Sequence, residues 1–287
     1  MTEELAQPAL LQAWIGRSEA AVDRIHPAPG RALAALLDSA AQALVEGDPL
    51  PPLAHWLHFQ QPVPQAQLGV DGHPHRGGFL PPVSLPRRMW AGGRLKFGRA
   101  LSIGEVATRR SEIIGVKVKQ GTSGMLVFVK VAHRIEGEDG QIAINEEQDI
   151  VYREPPRPGV DVAVPVPAPA GATWHRTIQP DPVLLFRYSA LTFNGHRIHY
   201  DRPYACDVEG YSGLVVHGPL LATLLVDLVA RNAPAARIAG FEFRAVRPCF
   251  DGGPLHLCGR PSGDGGVALW VADAAGNLCM EARTSLG

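Results

Sequence analysis

The sequence is poor in features that mark the commoner chemistries. Its 287 residues include four cysteines, Cys206, Cys249, Cys258 and Cys279. None forms a CxxC pair, so neither a thiolate zinc site nor a disulfide framework is expected, and a reducing, cytoplasmic setting fits best. Charge of one sign is not in excess: 27 Lys and Arg stand against 28 Asp and Glu, a net charge of -1. No chain-wide field steers nucleic acid or an anionic membrane, and an anionic ligand must be caught locally. No apolar run approaches the roughly eighteen residues that span a bilayer. The longest candidate, 219–230, is interrupted by Thr223 and Asp227. The opening Met1-Thr2-Glu3-Glu4 has neither an apolar core nor an Arg-rich pattern, which reads against a signal or transit peptide. Residues 92–98 complete neither GxxxxGK nor GxGxxG, and Gly121-Thr122-Ser123-Gly124 and Gly210-Tyr211-Ser212-Gly213 fall short of GxSxG. Nucleotide hydrolysis, dinucleotide binding and serine hydrolysis find no support.

Proline is abundant, with 26 residues. The stretch 155–182 is so rich in it that little room is left for helix, and it reads as an extended connector between residues 1–154 and 183–287. Within 1–154, the Ala/Leu-rich 31–46 predicts a helix stopped by Gly47-Asp48-Pro49. A Pro/Gly/His-rich excursion over 50–93 follows, then strands over 112–119, 125–133 and 141–152. Within 183–287, Pro219 opens a helix whose Leu220, Leu221, Leu224, Leu225, Leu228 and Val229 form a wide apolar face. Strands over 238–246, 254–259, 267–272 and 278–284 come next, with Ala275-Gly276-Asn277 as a turn. A helix followed by an antiparallel meander, twice over, implies an α+β architecture with each helix cradled by a curved sheet.

The densest chemistry lies in Leu191-Thr192-Phe193-Asn194-Gly195-His196-Arg197-Ile198-His199-Tyr200-Asp201, read as a strand-loop segment, and in the helix start His217-Gly218-Pro219 downstream. The first stretch resembles the Asp-x-Asn-Pro-(Ile/Leu)-His-x-Asp motif of MaoC-like hydratases. The motif histidine falls on His199 and the final carboxylate on Asp201, while Asn194 replaces the first Asp, His196 the Asn and Arg197 the Pro. With FNxHxIHYDxxY, EGYxGLVVHGPL and the earlier Pro86-Arg87-Arg88-Met89-Trp90-Ala91-Gly92-Gly93, the chain looks like the hydroxyacyl-thioester dehydratase type 2 branch and its bacterial relatives, the mesaconyl-C4-CoA and itaconyl-CoA hydratases. The resemblance implies a double hot-dog fold, two curved antiparallel sheets each around a central helix. Its first half is without the catalytic motif and its second half, 183–287, is catalytic. The implied activity is addition or removal of water at the double bond of an enoyl-CoA, with a short branched dicarboxylyl-CoA giving citramalyl-CoA as the leading case. A 3-hydroxyacyl-thioester dehydratase of fatty-acid synthesis, on carrier protein or CoA, is the alternative enzyme. A non-catalytic acyl-thioester binding module is the alternative of another class.

Hydration of an enoyl thioester needs a base for water, a proton for the α-carbon and a donor to the thioester oxygen. Histidine titrates near neutrality, which suits His199 to the first two. The Gly218 N–H, at a helix N-terminus, suits the third. An amide exchanges no proton, so Asn194 only orients water. Then either His199 carries both transfers, or Asp201 or His196 takes the second. Arg87, Arg88, Arg197 and Trp90 are candidates for binding a substrate carboxylate or the phosphates of coenzyme A. His55, His58, His73 and His75 read as solvated loop histidines, and no metal is expected. No cofactor is expected beyond the coenzyme A on the substrate. The expected partner is the acyl-CoA alone, without nucleic acid or membrane, and family analogy implies a homodimer.

Overall fold

Runs of β-branched residues at alternate positions make long strands here, and their pairing yields one sheet. The computed structural model describes residues 8–39, 44–121, 124–155 and 164–287. Its strands are β1 Ser18–Arg24, β2 Arg87–Phe97, β3 Val106–Gly121, β4 Gly124–Glu136, β5 Ile142–Arg153, β6 Trp174–Ile178, β7 Ile238–Ala245, β8 Leu255–Pro261, β9 Gly266–Ala272 and β10 Leu278–Leu286. Their order across the sheet is β1-β3-β4-β5-β2-β7-β10-β9-β8-β6, with every pairing antiparallel. Read outward from the centre, both halves run fifth-sequence strand next to second, then fourth, third and first. The chain therefore folds the same five-stranded unit twice and joins the units edge to edge at β2 and β7.

That seam explains a glycine pair. Gly92 and Gly93 of β2 face Arg244 and Phe243 of β7. A Cβ at Gly92 would lie 2.6 Å from the Phe243 carbonyl oxygen, and one at Gly93 2.9 Å from the Phe243 ring. Side chains there would push the halves apart. A bulge between Trp90 and Gly92 offsets β2 against β5. β2 thus emerges from what the sequence presents as an irregular excursion. β6 likewise lies inside the proline-rich 155–182 and pairs with β8, so the connector supplies the second unit's first strand. Residues 156–163 lie outside the described residues.

The helices are α1 Pro8–Gln12, α2 Pro27–Leu36, α3 Pro182–Thr192 and α4 Gly218–Asn232. α4 fills the second unit. Its residues from Leu220 through Val229 are all buried, packed on β6, β8, β9 and β10. Its two polar interruptions are satisfied inside: Thr223 donates to the Pro219 carbonyl at 2.8 Å, and Asp227 pairs with Arg231 at 2.6 Å and with Arg176. Both guanidinium groups also donate to the Leu37 carbonyl at 2.8 Å, cations at the negative end of α2.

The first unit differs from the expectation. α2 ends at Leu36 rather than continuing to 46, because Asp38 takes a left-handed conformation (φ 52°); residues 40–43 lie outside the described residues. Its main backbone neighbours are α3 and the 3-10 turn Ala54–Leu57, and its buried Leu33 and Leu36 share the main core with Ala107, Ile135 and Ile144 of the first sheet. The inner face of β4 is apolar at Val127, Val129 and Val131, under a small core that includes Leu11, Val83 and Leu85. It is apolar again at Ile135, within the main core. Between them lies a polar band in which Ser111 pairs with His133 and His133 with Glu146 across three strands. No helix of the described residues is long and apolar enough to cross a membrane.

Candidate active site

The motif segment is a helix end and a 3-10 turn, not a strand-loop. Asp181 caps α3 by accepting from the Leu184 N–H at 2.7 Å. Phe193 ends it in the left-handed region (φ 50°), an unusual conformation for a side chain of this size, and the Asn194 N–H then closes on the Ser189 carbonyl at 2.8 Å. The Oδ1 atom of Asn194 accepts from the His196 N–H at 3.0 Å. Because a backbone N–H only donates, the amide is oriented with its NH2 group free to donate outward. Residues Arg197–His199 form the 3-10 turn that places His199 beside α4.

His199 is buried, and its Nδ1 lies 2.7 Å from the Val215 carbonyl oxygen. A carbonyl only accepts, so Nδ1 carries the proton and the neutral ring keeps its lone pair on Nε2. Burial lowers the pKa from 6.5 to about 4, against the raising effect of the Val215 bond. The ring stacks on His217 with centroids 3.6 Å apart, and His217 bonds to the Ser189 hydroxyl at 2.8 Å. On its other side His199 meets His196 edge-on at 5.4 Å, and His196 contacts His73 at 4.1 Å. Burial and those two histidines hold His196 down to about 2, so it too is neutral.

The row of histidine rings runs from one cavity, lined by His217, to another, lined by His73. One, of about 250 Å³, is lined by Asn194, His217, Pro219, Tyr188 and Thr192 from the second half. Trp90, Arg109, His133, Glu146 and Gln148 of the first sheet, with His55 and Trp56, complete it. The other, of about 470 Å³, is lined by Asp71, His73, Arg76 and Arg88 among residues of the 69–76 and 82–88 segments, with Tyr204 and Glu209. Gly218 is the first residue of α4, where backbone N–H groups lack helical partners. A Cβ on it would meet only the Trp90 carbonyl oxygen, at 3.6 Å.

The remaining sequence candidates are dispersed. Arg197 donates to Asp201 at 2.7 and 2.9 Å and lies over the Tyr204 ring at 4.1 Å. Asp201 also caps the next turn through the Tyr204 N–H at 3.1 Å, and the Arg197 hydrogen bond lowers its pKa. Arg87 pairs with Glu209 at 2.9 Å over the Tyr211 ring. Arg87 and Arg197 are therefore held by protein carboxylates, and Asp201 by a guanidinium. Arg88 faces the larger cavity; Trp90 walls the smaller one, its indole N–H spent on the Gly92 carbonyl at 2.8 Å.

Three of the four loop histidines are not solvated. His55 is buried against Glu146 at 3.0 Å, and His58 is buried 3.7 Å from Asp23. His73 bonds to Asp71 at 3.1 Å, and only His75 is exposed. Asp71, His73 and His196 bring one ligand atom each within 4.8 Å of one another, a possible cation cluster. A cation there would meet the fields of Arg88 and Arg76, which already depress His73 after burial has done so.

Sequence reasoning missed the first-half wall. Glu146 accepts from His55 and Trp56 at 3.0 Å each and from Gln148 at 2.8 Å. Burial alone would raise its pKa; the bond from His55 and neighbouring positive charge outweigh this and hold it at about 2. The available signal was a polar residue at the inward position of strands that are otherwise apolar there, His133 after Val127, Val129 and Val131.

The chain is similar to known proteins along most of its length. The profile of the family described as hydroxyacyl-thioester dehydratase type 2 matches residues 53–251. The chain is 49% identical to a mesaconyl-C(4)-CoA hydratase of Chloroflexus aurantiacus, over 96% of this chain and 97% of the relative. It is 28% identical to the mitochondrial hydroxyacyl-thioester dehydratase type 2 of Schizosaccharomyces pombe, over 77% of this chain and 80% of that one. Among solved structures, a Mycobacterium tuberculosis protein described as having a double hotdog fold superposes with a TM-score of 0.60. That likeness, at 13% identity over 95% of this chain and 96% of the other, concerns the fold.

Proposed function

This chain belongs to the hydroxyacyl-thioester dehydratase type 2 family and shares its hydratase/dehydratase activity on CoA thioesters, and from that premise we propose that it interconverts mesaconyl-C4-CoA and citramalyl-CoA. Itaconyl-CoA is the second substrate to try. The observation that carries the mechanism is the hydrogen bond from His199 Nδ1 to Val215, which leaves Nε2 as the acceptor. His199 Nε2 takes a proton from water, the hydroxide adds to the β-carbon, and the resulting imidazolium returns that proton to the α-carbon on the same face. The Gly218 N–H holds the negative charge that develops on the thioester oxygen. The Asn194 NH2 group, oriented by its bond to His196, holds the attacking oxygen.

Asp201 is bound to Arg197, and His196 is held neutral, so neither supplies the second proton in this reading. The chemistry requires no resident cofactor or metal, since the substrate brings its own coenzyme A. The free thiols Cys206, Cys249, Cys258 and Cys279 suit a reducing cytoplasm, and the edge strands β1 and β6 suit a homodimer. The small, partly polar cavity fits a short acyl group better than the long chain of a fatty-acid dehydratase. Purified protein is to be assayed with mesaconyl-C4-CoA and crotonyl-CoA by loss of enoyl-thioester absorbance, and with itaconyl-CoA, whose double bond is not conjugated to the thioester, by chromatography of the hydrated product. Fastest turnover of mesaconyl-C4-CoA supports the reading; preference for crotonyl-CoA or longer chains contradicts it.

A further inference from the structure

The wall that the first sheet contributes carries a cation without a counter-ion. Arg109 stands on β3 opposite Ala21 of β1 and Ile135 of β4, and lines the smaller cavity. Its guanidinium lies over the Phe59 ring, 5.6 Å from the centroid, and its Nε is buried without a hydrogen-bond partner. It forms no ion pair among the described residues. The acids whose fields reach it are Glu19 and Glu146. Glu146 already receives three donors, from His55, Trp56 and Gln148.

Two other residues that line the same cavity, His55 and His217, also carry a buried Nδ1 without a partner. Three of the seven buried side-chain atoms that lack a partner among the described residues thus belong to residues of one cavity. Orphaned polar atoms concentrated in this way call for a polar occupant. We infer that Arg109 binds a carboxylate on the acyl group of the substrate, so that this enzyme selects short enoyl thioesters with an acid on the β-carbon.

The chemistry of the site supports that choice. A guanidinium presents two parallel N–H groups that match a carboxylate. A cavity of about 250 Å³ lies below the roughly 300 Å³ at which ligand pockets usually begin, so a five-carbon diacid fits and a long chain does not. The net charge of -1 supplies no general attraction for a diacid, which leaves the task to a local cation. Burial lowers the Arg109 pKa, against the fields of Glu19 and then Glu146, and Glu146 is itself taken up by its own donors. The inference rests on the proposed substrate class, and its test is one of binding alone so that the two can fail separately.

The probes are the C4 thioester of methylsuccinate with coenzyme A and isovaleryl-CoA. They are saturated, do not react, and differ only by carboxylate against methyl. Their Kd values are to be measured by calorimetry on the full chain, as a ratio from which any inactive fraction cancels. The wild type is expected to prefer the acid, and Arg109→Gln to shrink that preference about 30-fold or more, as for truncation of one partner of a desolvated charge pair. Arg109→Lys should fall between and serves as the deciding variant if the Gln form does not fold. Arg88→Gln, altering the other cavity, should leave the ratio in place. Equal binding of both probes by the wild type, an unmoved ratio in the Arg109 variants, or a collapse in Arg88→Gln instead would overturn the inference. Failure of the wild type to hydrate mesaconyl-C4-CoA while the Arg109 effect stands would count against the proposed reaction only.

Discussion

The two units share a strand order and use their inner faces in opposite ways. In the second, α4 lays ten consecutive buried residues along the sheet, and the catalytic groups stand at the end of that helix. In the first, the shorter α2 packs on α3 as well, and part of the inner face carries Ser111, His133, Glu146, Gln148 and Arg109. The shorter helix of the first unit leaves part of its inner face to a cavity, and the longer helix of the second begins beside that cavity, with His217 and Pro219 on its wall. In the proposed mechanism one copy is the scaffold for proton transfer, and the other is the wall that reads the acyl group.

Variants in the second unit should separate chemistry from packing. His199→Gln removes the base while keeping a hydrogen-bonding side chain, and kcat should fall by about a thousand-fold, within the usual range for a general acid–base group. Thermal unfolding of the same variant, near that of the wild type, would assign the loss to chemistry. Leu225→Ala should do the reverse, since deleting a fully buried leucine costs about 2–5 kcal/mol. Urea titration is expected to reveal that loss while kcat/KM of the remaining folded enzyme stays near the wild-type value.

Gly218→Ala sharpens the comparison at the point where the units meet. The protein itself leaves room for the methyl group, with only the Trp90 carbonyl oxygen at 3.6 Å. A folded variant that loses about a hundred-fold in kcat would mean that the space is kept for the thioester. Wild-type stability with wild-type kinetics would remove Gly218 from the mechanism.

The smallest effects concern pH. His199 in the folded enzyme titrates at about 4 and in the unfolded chain near 6.5. Between those values the unfolded state binds more protons, so the stability that His199 contributes above pH 6.5 is lost as the pH falls toward 4. His196, His73, His58, His133 and His217 are shifted in the same direction, first by burial. The melting temperature should decline steadily from pH 7 to pH 5. The acid limb of kcat/KM should lie near pH 4, and a limb at 6.5 would mean that His199 is far better solvated than its burial implies.

What the sequence disclosed was local. The apolar stripe of α4, the meander after it and the motif around His199 each lie within a few tens of consecutive residues, where periodicity and spacing speak directly. β2 was hidden because its strand carries three arginines and the glycine pair Gly92-Gly93, demanded by a neighbour some 150 positions away, β7. α3 was hidden because apolar residues surround it with little stripe. β6 was hidden by the prolines around it. Arg109, His133 and Glu146 meet only after three strands pair, and no spacing along the chain announces it. Among the candidate ligands, the pairing of Arg197 with Asp201 is an i, i+4 contact, whereas that of Arg87 with Glu209 spans the whole motif region.

The division of labour between the units is tested most directly by a crystal structure of His199→Gln bound to mesaconyl-C4-CoA. The acyl group is expected against the first sheet, between Trp90 and Arg109, with the thioester oxygen about 2.7–3.1 Å from the Gly218 nitrogen and the β-carbon facing residue 199. An acyl group seated instead among Asp71, His73 and Arg88 in the larger cavity would contradict the account.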